Sequence, residues 1–241
     1  MNTIRLNTFI TNDFIQKRST FLLLLITLLL LPISDLWAQT NNLKIGEWKH
    51  HFAFNNCFAV VETPTQIIGA TPVGLNILNK SDQSFSTITK LDGLSDYGLS
   101  ALSYHSDRDL ILIGYSNGNI DILHQNTIHN INDLKIKQMD GSKTINQFLP
   151  LGDTLLCATD FGIIVINPEK MEITSTWYIG EEASNLKIYQ LLADGQLLYA
   201  ASEKGLRNTN LVDSNPAFFS NWTTISPTQN PYCGLSIFSG Q

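Results

Sequence analysis

Three features of the sequence predict an all-β fold built from repeated four-stranded units. First, four stretches read alike: an apolar run, a turn ending in glycine, a second apolar run and a polar turn. Second, their turn glycines Gly74, Gly118, Gly162 and Gly205 are spaced by 44, 44 and 43 residues. Third, the apolar runs have strand length and are joined by Asp-Gly, Gly-Asp, Asn-Gly or Ser-Asp, the turn chemistry of tight hairpins. A period in the low forties with four short strands per unit is the signature of β-propeller blades.

The elements follow in order. The first strand of each blade is expected at Cys57–Glu62, Leu99–His105, Ile145–Pro150 and Leu186–Ala193. The second is expected at Gln66–Thr71, Asp109–Tyr115, Thr154–Thr159 and Gln196–Ser202. The third is Gly74–Asn79, Gly118–His124, Gly162–Asn167 and Gly205–Leu211, and the outer strand is Ser84–Thr89, Thr127–Asn132, Met171–Trp177 and Phe218–Ile225. Inner strands are near-continuous apolar runs, as strands covered on both faces by neighbouring blades must be. Outer strands alternate, as at Phe85, Thr87 and Thr89.

The two ends of the chain extend this reading. Pro231–Gln241 repeats the text of Lys187–Gln196, with Gly240 following Gly195 by 45 residues. The expectation is an incomplete propeller, about four blades plus the start of a fifth, in an N-terminal piece of a longer protein. Closed propellers have about four to eight blades, and seven at this period need roughly 300 residues. Glu47–Phe52 resembles the outer-strand text Asn221–Ile225, so Leu43–Asn56 is expected to supply the outer strand of the closing blade.

Residues 1–38 read as a signal peptide and 39–241 as the N-terminal part of a truncated β-propeller domain. Lys17-Arg18 precedes the apolar run Phe21–Leu31, which Pro32 breaks, and Leu36-Trp37-Ala38 offers cleavage after Ala38. The run is short of the about 20 residues a span needs, although an uncleaved anchor is the competing reading. No later stretch has the length and apolarity of a transmembrane span, so none is expected in the mature chain.

The formal net charge is -6, and removing the export segment leaves about −7. An acidic protein repels phosphate backbones, which argues against nucleic acid as a partner. Cys57, Cys157 and Cys233 are odd in number and widely spaced, so they read as small apolar residues rather than a disulfide framework.

Several local motifs have a chemical and a plainer reading. Gly114-Tyr-Ser116-Asn-Gly118 fits the G-x-S-x-G pattern, but that pattern needs a strand-to-helix turn, and here it falls on a strand-to-strand turn. His50, His51, His105, His124 and His129 lack metal-ligand spacing and read as edge or surface residues. Asn117-Gly-Asn-Ile-Asp121 has calcium-loop composition without the remaining ligands and reads as a turn. No catalytic residue, metal site or cofactor is expected. Glu62 and His105 fall on inner strands but form no paired set for glycan hydrolysis or lysis.

The connection Asp92-Gly-Leu-Ser-Asp-Tyr97 is the strongest candidate for binding. Strand parity puts it at the same end of the propeller as the glycine turns. That end gathers Asp96, Tyr97, Asn117, Asn119, Asp160 and Lys204, loop residues on a rigid scaffold. The competing reading is a solvated turn whose aspartate caps backbone amides.

Gly93-Leu-Ser-Asp96 followed by Leu99–Tyr104 is similar to the blade signature of two-component-regulator propellers. Ile45–Trp48, Tyr115–Asp121, Lys143–Asn146 and Phe161–Val165, in that order, resemble the N-terminal propellers of the PorZ family, a component of the type IX secretion system of Bacteroidetes. The resemblance implies an exported, outer-membrane-associated cell-surface protein. It implies a non-catalytic propeller that works with a sortase and outer-membrane attachment components to anchor cargo to anionic lipopolysaccharide. The alternative is the periplasmic glycan-sensing propeller of a hybrid two-component histidine kinase. The segments downstream discriminate: a second propeller and sorting domain for the first, a membrane span and kinase core for the second.

Overall fold

The computed structural model describes residues 52–226 and 234–236. The expected signal peptide, and residues 43–51 of the expected closing strand, lie outside the described residues. The described residues form four antiparallel four-stranded sheets, each a meander in sequence order. The first comprises β1 (Ala59–Glu62), β2 (Gln66–Thr71), β3 (Gly74–Asn79) and β4 (Phe85–Thr89). The second comprises β5 (Leu99–His105), β6 (Leu110–Tyr115), β7 (Ile120–His124) and β8 (Thr127–Ile131). The third holds β9 (Ile145–Leu151), β10 (Thr154–Thr159), β11 (Ile163–Asn167) and β12 (Glu172–Trp177). The fourth holds β13 (Ile188–Asp194), β14 (Leu197–Ser202), β15 (Gly205–Asn210) and β16 (Thr223–Ser226).

All sixteen expected strands are present, with shifted ends that have local causes. Strand β6 starts one residue late because Asp109 adopts a left-handed conformation (φ 51°), which a strand cannot contain. The same holds for Met171 (φ 54°) before β12. The largest departure is the outer strand of blade four. It was expected from Phe218, but Phe219–Asn221 forms a 3-10 turn and the strand begins at Thr223. The Trp222 indole N–H donates to Pro216 O at 2.8 Å, so the turn folds back on its own entry.

Three apolar layers join the sheets. Ile68, Ala70, Leu75 and Ile77 of blade one meet Ile111, Ile113 and Tyr115 of blade two. Leu110, Leu112, Ile120 and Ile122 of blade two meet Leu155, Cys157, Ile164 and Ile166 of blade three. Leu156, Ala158, Ile163 and Val165 meet Leu191, Leu198 and Ala200 of blade four. Each blade therefore uses alternate strand positions for its forward and backward neighbours, as the period-2 pleat dictates. Burying one such Leu or Ile contributes about 1.5–3 kcal/mol. Gly114 is needed for this contact, because a Cβ there would collide with Ile145 of the next blade.

The inner strands add a polar link. Ser100 Oγ donates to Ile145 O (2.8 Å), and Gln147 Oε1 accepts from Leu191 N (2.6 Å). Gln190, one blade on, holds Leu235 through both amide atoms: Oε1 accepts from its N–H (2.5 Å) and Nε2 donates to its carbonyl (3.2 Å). Leu235 thus stands in the place that Leu191 occupies one blade earlier. Among the described residues the four sheets do not close into a ring: they form an incomplete β-propeller.

Candidate functional site

The site is built at the end of the arc where one blade hands over to the next. After β4, Thr89 caps the 3-10 turn Lys90–Asp92 in a reciprocal capping box, with Thr89 N–H donating to Asp92 Oδ2 at 2.9 Å. Gly93 (φ 121°) then reverses the chain in a conformation open to glycine. Leu94 is buried in the layer between blades one and two and fixes the connection as a plug. Gly98 N–H donates to Pro72 O (2.7 Å) and Ser116 N–H to Gly98 O (2.9 Å). The connection is thereby laced to the glycine turns of blades one and two.

Asp96 is the hub of this end. Its Oδ2 accepts from Lys135 Nζ (2.7 Å) and Asn117 Nδ2 (2.6 Å), and its Oδ1 from Lys90 Nζ (3.1 Å) and Tyr97 N–H (3.1 Å). Burial raises its pKa, but the Lys135, Asn117 and Lys90 hydrogen bonds outweigh that and hold the carboxyl well below its ordinary range. Lys90 also lies 5.4 Å from the centroid of the Tyr97 ring, which meets Phe52 at 5.8 Å. Tyr97 is exposed, so the hub carries an aromatic surface beside two lysines. Lys135 lines an open groove of about 480 Å³ with Lys137, Met139, Asp140 and Lys143. On a chain of net charge -6, this is a local concentration of positive charge.

Beneath the hub lies a buried polar network that the sequence reading missed. Asp121 is buried in β7, and its Oδ2 accepts from Tyr115 Oη (2.6 Å) and Ser95 N–H (2.8 Å). Its Oδ1 accepts from Asn130 Nδ2 at 2.8 Å. Burial and the adjoining Asp121 charge push the Tyr115 hydroxyl far up, so it stays a proton donor. The sequence reading puts Asp121 at the end of a plain turn, whereas it lies in β7. The available signal was its place in the apolar strand Ile120-Asp-Ile-Leu123, where a carboxylate must be buried and satisfied.

The remaining expected residues divide. Asp160 forms a second hub one blade on: Oδ1 accepts from Asn146 Nδ2 (3.0 Å) and pairs with Lys187 Nζ (2.9 Å). Burial raises its pKa, but its hydrogen bonds and the Lys187 charge lower it on balance, and the same bond raises Lys187. Asn119 is buried and its Oδ1 accepts from Asn130, so it belongs to the network rather than to the exposed surface. Lys204 is exposed on the turn of blade four, where its N–H donates to Ser202 Oγ. The structure therefore joins Asp96, Tyr97 and Asn117 in one cluster and places Asp160 and Lys204 on later blades. The Gly114–Gly118 motif is a strand-to-strand turn between β6 and β7, with no helix after it. Among the described residues, no group of three or more His, Cys, Asp or Glu is arranged to hold a metal ion.

Comparison with known proteins places this geometry in a family. The profile of the type IX secretion system PorZ N-terminal β-propeller domain matches residues 70–223, more than half of the chain. Among solved structures, the chain is similar to PorZ of Porphyromonas gingivalis at 25% identity and a TM-score of 0.63. That protein is described as an essential bacterial surface component of the type IX secretion system. The match covers 74% of this chain and 24% of that one. Two structures of the extracellular domain of BT4673 from B. thetaiotaomicron match at 15% identity with TM-scores of 0.55 and 0.56. One is described as a hybrid two-component system and the other as a one-component system; both matches cover 76% of this chain and 24% of theirs. At that identity the likeness is one of fold. The chain thus spans about a quarter of the length of each solved structure it matches. No curated protein matches it.

Proposed function

The chain belongs to the family of PorZ N-terminal β-propeller domains of the type IX secretion system, and from that premise we propose that it is a non-catalytic scaffold of the cell-surface attachment complex. In this reading the protein is exported by its N-terminal segment and works at the outer membrane. There it supports sortase-mediated anchoring of cargo to anionic lipopolysaccharide. Its partners are the sortase and the outer-membrane components of that complex.

The observation that carries the reading is the family match over residues 70–223. The end face supports it. Tyr97 offers a ring for stacking on a partner side chain or sugar, with Lys90 beside it. In the groove lined by Lys135, Lys137 and Lys143, Lys135 Nζ is held by Asp96 and Lys143 Nζ by the Lys135 and Lys137 carbonyls. Exposed Lys137 is therefore the cation that suits an anionic group such as a phosphate or uronate. The carboxylates Asp96 and Asp160 are both committed to lysine and asparagine partners, which suits a binding surface better than an acid–base pair.

The experiment is deletion of the complete gene in its native host, followed by assay of type IX cargo at the cell surface. The expected result is cargo released or retained without attachment, restored by the gene in trans. Normal attachment after deletion would overturn the reading. Loss of a sugar-dependent transcriptional response, with attachment intact, would favour the sensor alternative instead.

A further inference from the structure

The hairpin end of the blades, opposite the Asp96 hub, carries a second cleft. In an antiparallel meander the turn between the first and second strands and the turn between the third and fourth lie at one end. Between blades one and two these turns border a cleft of about 150 Å³. Gln66, in the first turn of blade one, lines one side. Asp109 and the two-residue turn Gln125-Asn126 of blade two line the other. Ile111 and Leu123, both buried, line the inner side.

The next junction shows what such a place holds. There Arg108, from the first turn of blade two, crosses to blade three. Its Nη2 donates to Asp153 Oδ1 (3.2 Å) and its Nη1 to Glu169 Oε1 (3.1 Å). Asp153 directly precedes β10, and Glu169 lies in the turn between β11 and β12. Asp109 and Gln125 hold the corresponding turns of blade two, before β6 and between β7 and β8. The first turn of blade one, Pro64-Thr65, supplies no cation to match Arg108. Lys80, the cation at this end of blade one, is held by Glu62 Oε1 (2.6 Å) and Thr63 O (2.7 Å). Asp109 is exposed, and its Oδ1 accepts from Tyr104 Oη at 2.9 Å. Among the described residues its carboxylate pairs with no lysine, arginine or histidine, and His124 Nδ1 faces its carbonyl instead, at 3.3 Å.

We propose that the cleft between blades one and two binds the guanidinium of an arginine carried by a partner polypeptide, in the manner in which the next junction binds Arg108. Asp109 takes the charge, and the side-chain amide oxygens of Gln66, Gln125 and Asn126 are the acceptors available to the remaining N–H groups. Ile111 and Leu123 receive the methylene stem. The walls are set before binding: Thr63 Oγ1 accepts from Gln66 N–H (2.9 Å) and fixes the blade-one turn. Pockets that enclose a whole small molecule run to roughly 300–1,000 Å³, so a cleft of about 150 Å³ suits one side-chain head. A side chain within a polypeptide is favoured over free arginine, whose α-carboxylate would meet Asp107 and Asp109 in the same turn. A net charge of -6 favours a basic partner in the same way. The inference stands apart from the secretion reading.

Saturation-transfer NMR on the purified protein, with N-acetyl-arginine methylamide as the probe, tests it. The expected result is transfer to the arginine Cδ protons, about fivefold weaker for the neutral citrulline analogue and for Asp109→Asn, as the loss of one well-made surface ion pair predicts. Asp82→Asn removes the same charge from the second turn of blade one, outside the cleft, and is expected to leave the signal unchanged. Equal signals from the arginine and citrulline probes overturn the inference, since they would make the ligand a neutral hydrogen-bonding group. Equal losses in Asp82→Asn and Asp109→Asn overturn it as well, by showing that only the overall charge matters. Tighter binding of free arginine than of the capped probe would make the occupant a metabolite and overturn the partner assignment. Should Asp109→Asn fail to fold, Gln125→Gly, which fits the left-handed backbone there (φ 46°), decides in its place: it is expected to weaken the signal, and an unchanged signal overturns the site.

Discussion

Ile67 and Leu155 occupy one position of the repeat, yet one is partly exposed and the other is wholly buried. The two residues have the same strand, the same cross-strand partner type and the same outward pleat. What differs is the sheet behind them. Leu155 packs against blade two; Ile67 has no blade behind it among the described residues. A propeller blade is therefore specified locally but stabilised by its neighbours, as in repeat proteins whose units cannot bury a face alone.

The largest break in this comparison is expected from Leu155→Ala, which should cost about 4 kcal/mol through lost burial and a cavity between blades two and three. Chemical denaturation followed by tryptophan fluorescence checks it. Next comes Asp121→Ala, which leaves the buried Tyr115 hydroxyl and the Ser95 N–H without their shared acceptor. A loss of roughly 3 kcal/mol is expected for those unpaired donors, with the Gly93–Tyr97 connection losing hydrogen-exchange protection first.

The interior layer also predicts a pH dependence. His105 is buried between blades two and three with Nε2 unpartnered. Burial lowers its pKa from 6.5; Asp107 opposes this and Arg108 adds to it. A lowered histidine pKa means that the unfolded chain binds the proton more tightly. Stability is then full above pH 6.5 and is lost as pH falls through the folded pKa. Asp96 and Asp160, also lowered, add a second loss below 3.8. Thermal melts from pH 7.5 down to pH 5 should show the first step, and His105→Leu should flatten it. The smallest effect is expected from Ile67→Ala in the 241-residue chain, under about 1 kcal/mol because the side chain keeps much of its water contact. A loss matching that of Leu155→Ala would break the comparison.

Much of the fold was legible because the repeat fixes it. The period located every strand, and the turn glycines located the hairpins. Strand ends slipped where a left-handed residue stops the ladder, at Asp109 and Met171, and where Pro216 leads a turn into the place of a strand. The candidate site was half legible. Asp96, Tyr97 and Asn117 came together because loop and turn share one end of the arc. Lys90 and Lys135 did not stand out, since a lysine becomes part of a site only through the distance it closes in space, 39 residues away in the case of Lys135. Asn119 looked like a turn residue and proved buried, because its neighbour Asp121 draws the turn inward through Asn130.

In the proposed function the blades are a rigid frame and exposed loop residues at one end engage the partner. The most direct measurement of this is complementation of the gene deletion with the full product carrying Tyr97→Ala, Lys137→Glu and Lys204→Glu. These side chains are exposed, so the account predicts an unchanged melting temperature and reduced attachment of type IX cargo at the cell surface. Wild-type attachment by that variant, folded and present at the normal level, would contradict it.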